Sequence, residues 1–310
     1  MTVAVLGSIN VDITAYLERL PKPGETLHGR EYKIGLGGKG ANQAVAARKL
    51  GSDVRFVART GADAFGETAR RELAAYDLDL TAVRVDAGGS TGIAIINVGE
   101  NGQNFISVIG GVNHAIDAGD VKRGRSIFEM SKVLLLQLET PLSASLEAAK
   151  MIRRAGGTVI LDPAPAPKFL DRPVLEGVDI LTPNESEADA ILGWRPSGED
   201  DGIRAAAELR SAGVPVAIVK LGANGVAIAS PDGEWFCPAF EVDAIDTVAA
   251  GDCFNGGLAH ALEEGRPLVE AVRFASACGA LSTTRKGASA AAPTKQEVDY
   301  FLACARLRGK

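Results

Sequence analysis

The chain has 310 residues, 46% hydrophobic and 23% charged, with a formal net charge of −6 from 33 basic and 39 acidic side chains. That balance belongs to a globular protein of one large domain, or one with a smaller appendage. It contains no basic block, which argues against a nucleic-acid or membrane-surface footprint, so a phosphate-bearing substrate would need local basic groups, backbone amides or a metal.

In chain order, "TVAVLGS" near the start reads as a buried strand. With no basic n-region and no long apolar h-region, it is not expected to be a signal peptide. The following Gly/Pro-bearing region holds "ITAYLERL" and "TLHGREYKIG", which suit half-exposed strands. "GANQAVAARKLG" has helical spacing and a Gly stop, "DVRFVART" is a strand and "FGETARRELAAYD" a helix. "TAVRVDAG", "TGIAIINVGE" and "NFISVIGG" form a run of short strands, the last two joined by a turn at "GENGQN".

An α/β rhythm follows. "KVLLLQLE", "TVILDPA", "VDILTPN", "VAIVKLG" and "GVAIAS" are apolar strands, and "PLSASLEAAKMIRRAGG", "ESEADAILG" and "DDGIRAAAELRSAG" are helices between them. "GDCFNGGLAHALEEG" and "LVEAVRFASACGALSTTR" are the last long helices. Near-continuous apolar strands alternating with helices predict a mostly parallel sheet covered on both faces. The antiparallel-looking strands near 12–36 and 88–110 break the rhythm and are expected to form a small separate sheet, placed as a lid over a ligand. Residues 1–310 are thus read as one domain carrying a lid. No apolar run approaches the ~18 residues of a membrane span, and a cytoplasmic location is expected.

Cys237, Cys253, Cys278 and Cys304 are widely spaced with no C-x-x-C pair, so they read as small residues in a reducing compartment. Cys253, beside Asp252, also admits a nucleophile, without a neighbouring His in sequence.

Glycine clusters mark close backbone approach. "GLGGKGANQA" matches G-x-G-x-x-G at Gly35, Gly37 and Gly40, but it does not follow the first strand, and no acidic residue lies about 20 positions on. A plain turn and a substrate site are the alternatives. For the latter, Lys39 and Asn42 offer polar contacts at a helix start, and an amide side chain suits sugar hydroxyls. "GSINVDIT" adds Asn10 and Asp12 just past the first strand, where parallel sheets bind ligands, although either could simply form a turn. "VKLGANG" (Lys220, Leu221, Gly222, Ala223, Asn224, Gly225) is not a P-loop; it could be a hairpin or a backbone against which a nucleotide lies. In "TPNESEA", Asn184 and Glu187 are spaced i, i+3: either a capping device or a polar pair facing phosphates and hydrated Mg²⁺.

"DTVAAGDCFNGG" places the amides of Ala249, Ala250 and Gly251 at the positive end of a helix, an anion hole, with the carboxylate of Asp252 beside it. Alone, Asp252 could be an N-terminal cap. In phosphoryl transfer the pairing has a use: the carboxylate takes the proton of the attacking hydroxyl, and the amides hold the moving phosphoryl group.

At these residues the sequence resembles the ribokinase (phosphofructokinase-B-type) family of carbohydrate kinases. "GSINVDIT", "GGKGANQA", "TGADAFG", "QLETP", "DPAPA", "TPNESEA", "KLGANG" and "DTVAAGDCFNGGLA" fall in the family's order over nearly the whole chain. The resemblance implies a Rossmann-like α/β fold with a small β-sheet lid, a homodimer through the lids, ATP and Mg²⁺, and K⁺ as monovalent activator. It implies ATP-dependent phosphorylation of D-ribose at O5, or of deoxyribose, another pentose or a nucleoside. Asp252 would be the base, with Gly251, Ala250 and Ala249 as the anion hole. Sugar contacts would be Asn10, Asp12, Gly38, Lys39, Gly40, Ala41, Asn42, Glu139 and Asp252. Nucleotide contacts would be Asn184, Lys220 to Gly225, Gly251 and Ser276, with Glu187 tied to the magnesium–phosphate network. The cation loop would be Asp246 with carbonyls of Val248, Ser282, Arg285, Gly287 and Ala291. Ser276 stands where a bulkier contact can occur, Ala291 where Ser is common, and "SVIGGVNHAI" departs from the usual Gly-Ala-Asn version. The rivals are a Rossmann dehydrogenase and a non-catalytic sugar-binding protein.

Overall fold

Val3 and Val5 alternate with Ala4 and Leu6 along the first strand, and all four are shut off from solvent. The two pairs point to opposite faces and join different apolar clusters. A strand apolar on both sides needs a helical layer on each face, which is what the computed structural model of the protein contains. It describes residues 2–101, 103–167 and 170–305.

The first strand, β1 (Thr2–Leu6), runs into an excursion of two strands, β2 (Asn10–Leu17) and β3 (Glu31–Gly37). The chain returns through α1 (Lys39–Lys49), β4 (Asp53–Gly61), α2 (Ala64–Ala75) and β5 (Val83–Asp86). A second excursion, β6 (Gly92–Gly99) and β7 (Asn104–Ile109), precedes α3 (Ala118–Arg123) and α4 (Arg125–Met130). Then come β8 (Val133–Leu136), α5 (Leu142–Arg154), β9 (Thr158–Leu161), α6 (Arg172–Glu176), β10 (Ile180–Leu181), α7 (Glu185–Leu192) and α8 (Gly198–Ala212). The last part holds β11 (Val216–Lys220), β12 (Gly225–Ser230), β13 (Gly233–Pro238), α9 (Ala250–Glu263), α10 (Leu268–Thr283) and α11 (Lys295–Cys304).

Nine strands form the main sheet in the order β13-β12-β11-β10-β9-β8-β1-β4-β5, parallel from β11 through β5. On one face α1, α9 and α10 pack through Val45, Leu258, Val272 and Phe274. On the other, α4, α5 and α8 pack through Phe128, Ile152 and Leu209. The two excursions pair as a four-stranded sheet, β3-β2-β6-β7, the small separate sheet expected for 12–36 and 88–110.

Several elements differ from expectation. The strand in "TAVRVDAG", β5, which the sequence pattern gives no place in either sheet, joins the edge of the main sheet parallel to β4. The middle pair of the small sheet, β2 and β6, is parallel, and only its outer pairs are antiparallel. The far end of the main sheet turns antiparallel, because β11 and β12 are joined by a short turn and β13 continues the meander. Strand β13 and helices α3, α4, α6 and α11 were not expected, and the strand in "VDILTPN" is reduced to two residues.

Candidate active site

One edge of the main sheet collects nearly all the chemistry. Where β1, β8, β9, β10 and β11 end, the chain places Ser8 and Asn10, Gln137 and Glu139, Asp162, Asn184 and Lys220 respectively. This is the carboxyl edge of a parallel sheet, where α/β folds bind ligands. Helices α1 and α9 begin at the same edge, so their unpaired N-terminal amides arrive with it.

Asp252 lies in the first turn of α9 and is 6% exposed. Its Oδ2 accepts from Asn42 Nδ2 and its Oδ1 from Gln43 Nε2, both at 3.0 Å. The same Gln43 nitrogen donates to Asp162 Oδ2 at 3.0 Å, and Asp162 Oδ1 pairs with Lys220 Nζ at 3.0 Å. Asn42 Oδ1 accepts from Ser289 Oγ at 2.6 Å. Each Asp252 oxygen therefore already accepts from a side-chain amide. Its pocket is not a capping arrangement, since α9 makes no side-chain cap.

Burial pushes the Asp252 carboxyl up to about 6; Lys39 opposes the shift, Asp162 adds to it, and the Gln43 and Asn42 donors oppose it. Asp12, on β2, is also pushed up to about 6, by burial first and then by Glu139 and Asp252. Lys39 carries the balancing charge: burial works against its ammonium, but Asp252, Asp162, Glu139 and Glu187 outweigh it and raise it above the ordinary lysine value. Burial raises Glu187 too, against the pull of Lys220. A carboxylate ring around one lysine is an electrostatic well for polar ligands.

The start of α9 leaves backbone amides open. Ala249 holds a left-handed backbone, φ 58°, uncommon without glycine. The amides of Gly251 and Asp252 take no backbone acceptor among the described residues, whereas the Ala250 amide, expected to be free, donates to Thr247 O at 3.3 Å. A Cβ on Gly251 would lie 3.3 Å from Lys220 Nζ, so the lysine ammonium stands beside this helix start.

The sugar-site candidates converge around α1. Gly38, with φ 89°, turns β3 into the helix, and a Cβ there would come 2.7 Å from Asn10 N. Glu139 accepts from Ser8 Oγ and, at 3.0 Å, from Lys39 N. The Gly40 and Ala41 amides are spent on Ser8, at 3.3 and 2.9 Å, so they shape the loop. Asn10 Oδ1 accepts from Asn113 Nδ2 at 2.8 Å, and Asn113 also bonds Ile9 N and Ile9 O.

On the other side, Asn184 and Glu187 form a capping box on α7, with 2.8 Å from Asn184 N to Glu187 Oε2. The capping reading is realised, and it holds Glu187 buried within reach of the fields of Lys39 and Lys220. Residues Lys220 to Gly225 end β11 and turn into β12, the hairpin alternative, with Gly222, Ala223 and Asn224 exposed. Ser276 sits on α10 beside the Cys237 thiol, whose upward shift by burial it opposes.

Asp246 joins two loops: its Oδ1 accepts from Val248 N and its Oδ2 from Gly287 N, both at 3.0 Å. It thereby brings the Val248 backbone to the segment carrying Ser282, Arg285, Gly287 and Ala291. The Ser282 carbonyl accepts from Arg285 N at 3.3 Å. No group of three or more His, Cys, Asp or Glu among the described residues is arranged for a metal. A Mg²⁺ here would rest on phosphates and water, with Glu187 nearby.

Two rival readings lose their basis. Gly35 and Gly37 belong to β3 of the small sheet, so the G-x-G-x-x-G match does not follow a parallel strand of a βαβ unit. Cys253 is buried, and burial pushes its thiol up to about 12, with Ser282 opposing, which disfavours the thiolate that a nucleophile needs.

Gln43, Gln137, Asp162, Ser8, Asn113 and Ser289 were not picked out as site residues from the sequence. Gln137 and Asp162 each stand immediately after a buried strand, β8 and β9, and that was the signal available for them.

A family model described as pfkB family carbohydrate kinase matches residues 1–295. The chain is 40% identical to the ribokinase of Haemophilus influenzae over 301 residues, covering 97% of this chain and 98% of that one. It is 37% identical to the deoxyribokinase of Salmonella typhi over 303 residues, covering 97% and 99%. The solved structure of Arabidopsis thaliana ribokinase complexed with ribose and ATP superposes with a TM-score of 0.88 at 33% identity, covering 97% of this chain and 98% of that one.

Proposed function

The chain belongs to the pfkB family of carbohydrate kinases, and we propose that it moves the γ-phosphoryl group of ATP to O5 of D-ribose, giving ribose 5-phosphate and ADP. The observation that carries this is Asp252: a buried carboxylate, each oxygen already accepting from a side-chain amide, at the open amide end of α9. The 5-hydroxyl gives its proton to Asp252 as its oxygen bonds to the γ-phosphorus, and the bond to the β-phosphate oxygen breaks with its electron pair leaving on ADP. The Gly251 and Asp252 amides, the positive end of α9 and the Lys220 ammonium hold the charge that spreads over the moving group. Ala249 and Ala250 shape this turn.

Asn10, Asp12, Lys39, Asn42 and Glu139 bind the sugar hydroxyls, on a loop built by Gly38, Gly40 and Ala41. Asn184, Lys220 to Gly225, Gly251 and Ser276 take the nucleotide. Mg²⁺, when bound with ATP, neutralises phosphate charge; Glu187 would meet it through water. K⁺ would be held by Asp246 and the carbonyls of Val248, Ser282, Arg285, Gly287 and Ala291, steadying the loop before α9. The small sheet is read as a lid, and its exposed apolar side chains, Tyr32, Ile34, Ile95 and Phe105 among them, support a homodimer through it. Four free cysteines and a need for ATP fit the cytoplasm.

The similarity to a deoxyribokinase sets the competitor. ADP release measured with ribose, 2-deoxyribose, other pentoses and nucleosides, with and without K⁺, tests the substrate. Highest kcat/KM for ribose is expected, and faster turnover of deoxyribose would overturn the assignment. Asp252→Asn should keep ribose binding and lose roughly 10²–10⁴ in kcat; near-normal turnover would remove Asp252 as the base.

A further inference from the structure

We propose that Gln43 is a positioning residue for this reaction: its one amide nitrogen ties the base Asp252 to Asp162, and Gln137 occupies its amide oxygen. The inference rests on Asp252 being the base. Gln43 is wholly buried, one residue beyond the sugar-site Asn42 on α1, and no sugar or nucleotide role falls on it. Its Nε2 reaches Asp252 Oδ1 and Asp162 Oδ2, each at 3.0 Å. Its Oε1 accepts from Gln137 Nε2 at 2.6 Å.

These three bonds use the amide in the only sense that works. If the group turned over, Oε1 would face two carboxylates and Nε2 would face the Gln137 donor. Gln137 is itself wholly buried at the end of β8, and a Cβ on Gly7 would lie 2.2 Å from its Oε1, so the glycine leaves room for it. The chain Lys220–Asp162–Gln43–Asp252 therefore runs from the nucleotide side to the base through direct contacts.

One consequence is electrostatic. Asp252 is faced by Lys39 and Gln43 from α1, Asn42 from the same helix, Asp162 from the end of β9 and Asp12 from β2. Asp162 and Asp12 resist its ionisation, while Lys39, Asn42 and Gln43 favour it. Gln43 donates to both Asp252 and the like-charged Asp162, so it shields one from the other. A second consequence is geometric. With Asn42 on Oδ2 and Gln43 on Oδ1, the carboxylate plane is fixed from two sides.

The test is the pH dependence of kcat at saturating ribose and ATP for Gln43→Met and Gln137→Met, with ribose KM and melting temperature measured alongside. Losing a donor to a charged carboxylate disfavours its ionised form, so Gln43→Met should move the acid limb of kcat upward by about one pH unit. Ribose KM should hold, because no sugar contact is lost. Gln137→Met should move the limb the same way by less. A folded Gln43→Met whose limb stays in place, or whose kcat falls equally at every pH, overturns the proposal. If Gln43→Met does not fold, an unmoved limb in Gln137→Met does the same. Failure of the base assignment itself is separable, since it would appear as retained turnover in Asp252→Asn.

Discussion

Asp12 carries a cost that the proposed sugar site imposes on its own fold. Its carboxyl is pushed up to about 6 by burial and by the neighbouring Glu139 and Asp252, from an ordinary value of 3.8. A group that binds its proton more tightly when folded adds stability below the unfolded value, and that contribution is lost as pH rises through the folded one. For Asp12 the window runs from 3.8 to about 6. Asp12→Asn should therefore melt a few degrees higher than the parent at pH 7.5, and the difference should vanish by pH 4, while ribose KM rises. Scanning calorimetry at the two pH values checks the sign; an equal gain at both would mean that packing, not charge, is responsible. Asp252 is pushed to the same region, so the acid limb of kcat/KM for ribose should sit near pH 6 and be steeper than one proton allows. At this scale the sequence was informative where a polar residue broke an apolar run or a glycine cluster, as at Asn10, Asp12 and Asp252. It was silent on Gln43 and on its pairing with Gln137, 94 positions away. On α1, Gln43 looks like any polar residue of a helix, and only folding shows that it is buried between two carboxylates.

Helix α9 concentrates the same trade-off in one turn. Ala249 is held at φ 58°, where glycine would be at ease, and a non-glycine residue there costs about 1 kcal/mol. Ala249→Gly should raise stability by about that amount, and if the strained turn aims the amides, kcat should fall although no side-chain contact is lost. Chemical denaturation with steady-state kinetics on one preparation would reveal both, and unchanged kcat would reduce the strain to an accident of the turn. Gly251→Ala makes the opposite case. Alanine favours a helix by about 1 kcal/mol, yet its Cβ would stand 3.3 Å from Lys220 Nζ, so ATP KM should rise with no loss of melting temperature. Among elements, strands buried on both faces and helices with a glycine stop were legible from residue pattern. Strand β13 was not: "GEWFCP" is short, half-exposed and ends in Pro. Helix α11 buries little beyond Val298, so its apolar period is weak, but its Thr294–Glu297 capping box was a usable signal. The edge strand β5 could be given no sheet because pairing partners are not written in a four-residue segment.

For the whole molecule, the unsolved surface is the small sheet. Register places Ile34, Ile13 and Ile95 in one cross-strand row, and Tyr32, Ala15, Asn97 and Phe105 in the next, on the face opposite Asp12. Tyr32 is 71% and Phe105 63% exposed, and every residue of the edge strand β7 is exposed. An apolar sheet face with an open edge strand is an association surface or an aggregation hazard. The charged Lys33 and Glu31 fall on the other face, so they do not guard this one. A second copy of the chain would cover the patch and, because Asp12 lies on the same strand as Ile13, would also steady the sugar-binding side. Sedimentation velocity should give a dimer at micromolar concentration, and Tyr32→Asp with Phe105→Asp should give a monomer with raised ribose KM and an intact melting transition of the main sheet. The KM change separates a lid function from mere stickiness. A monomeric double variant with parental ribose KM would leave the sheet as a dimer contact with no part in binding, and a monomeric parent would remove the dimer altogether.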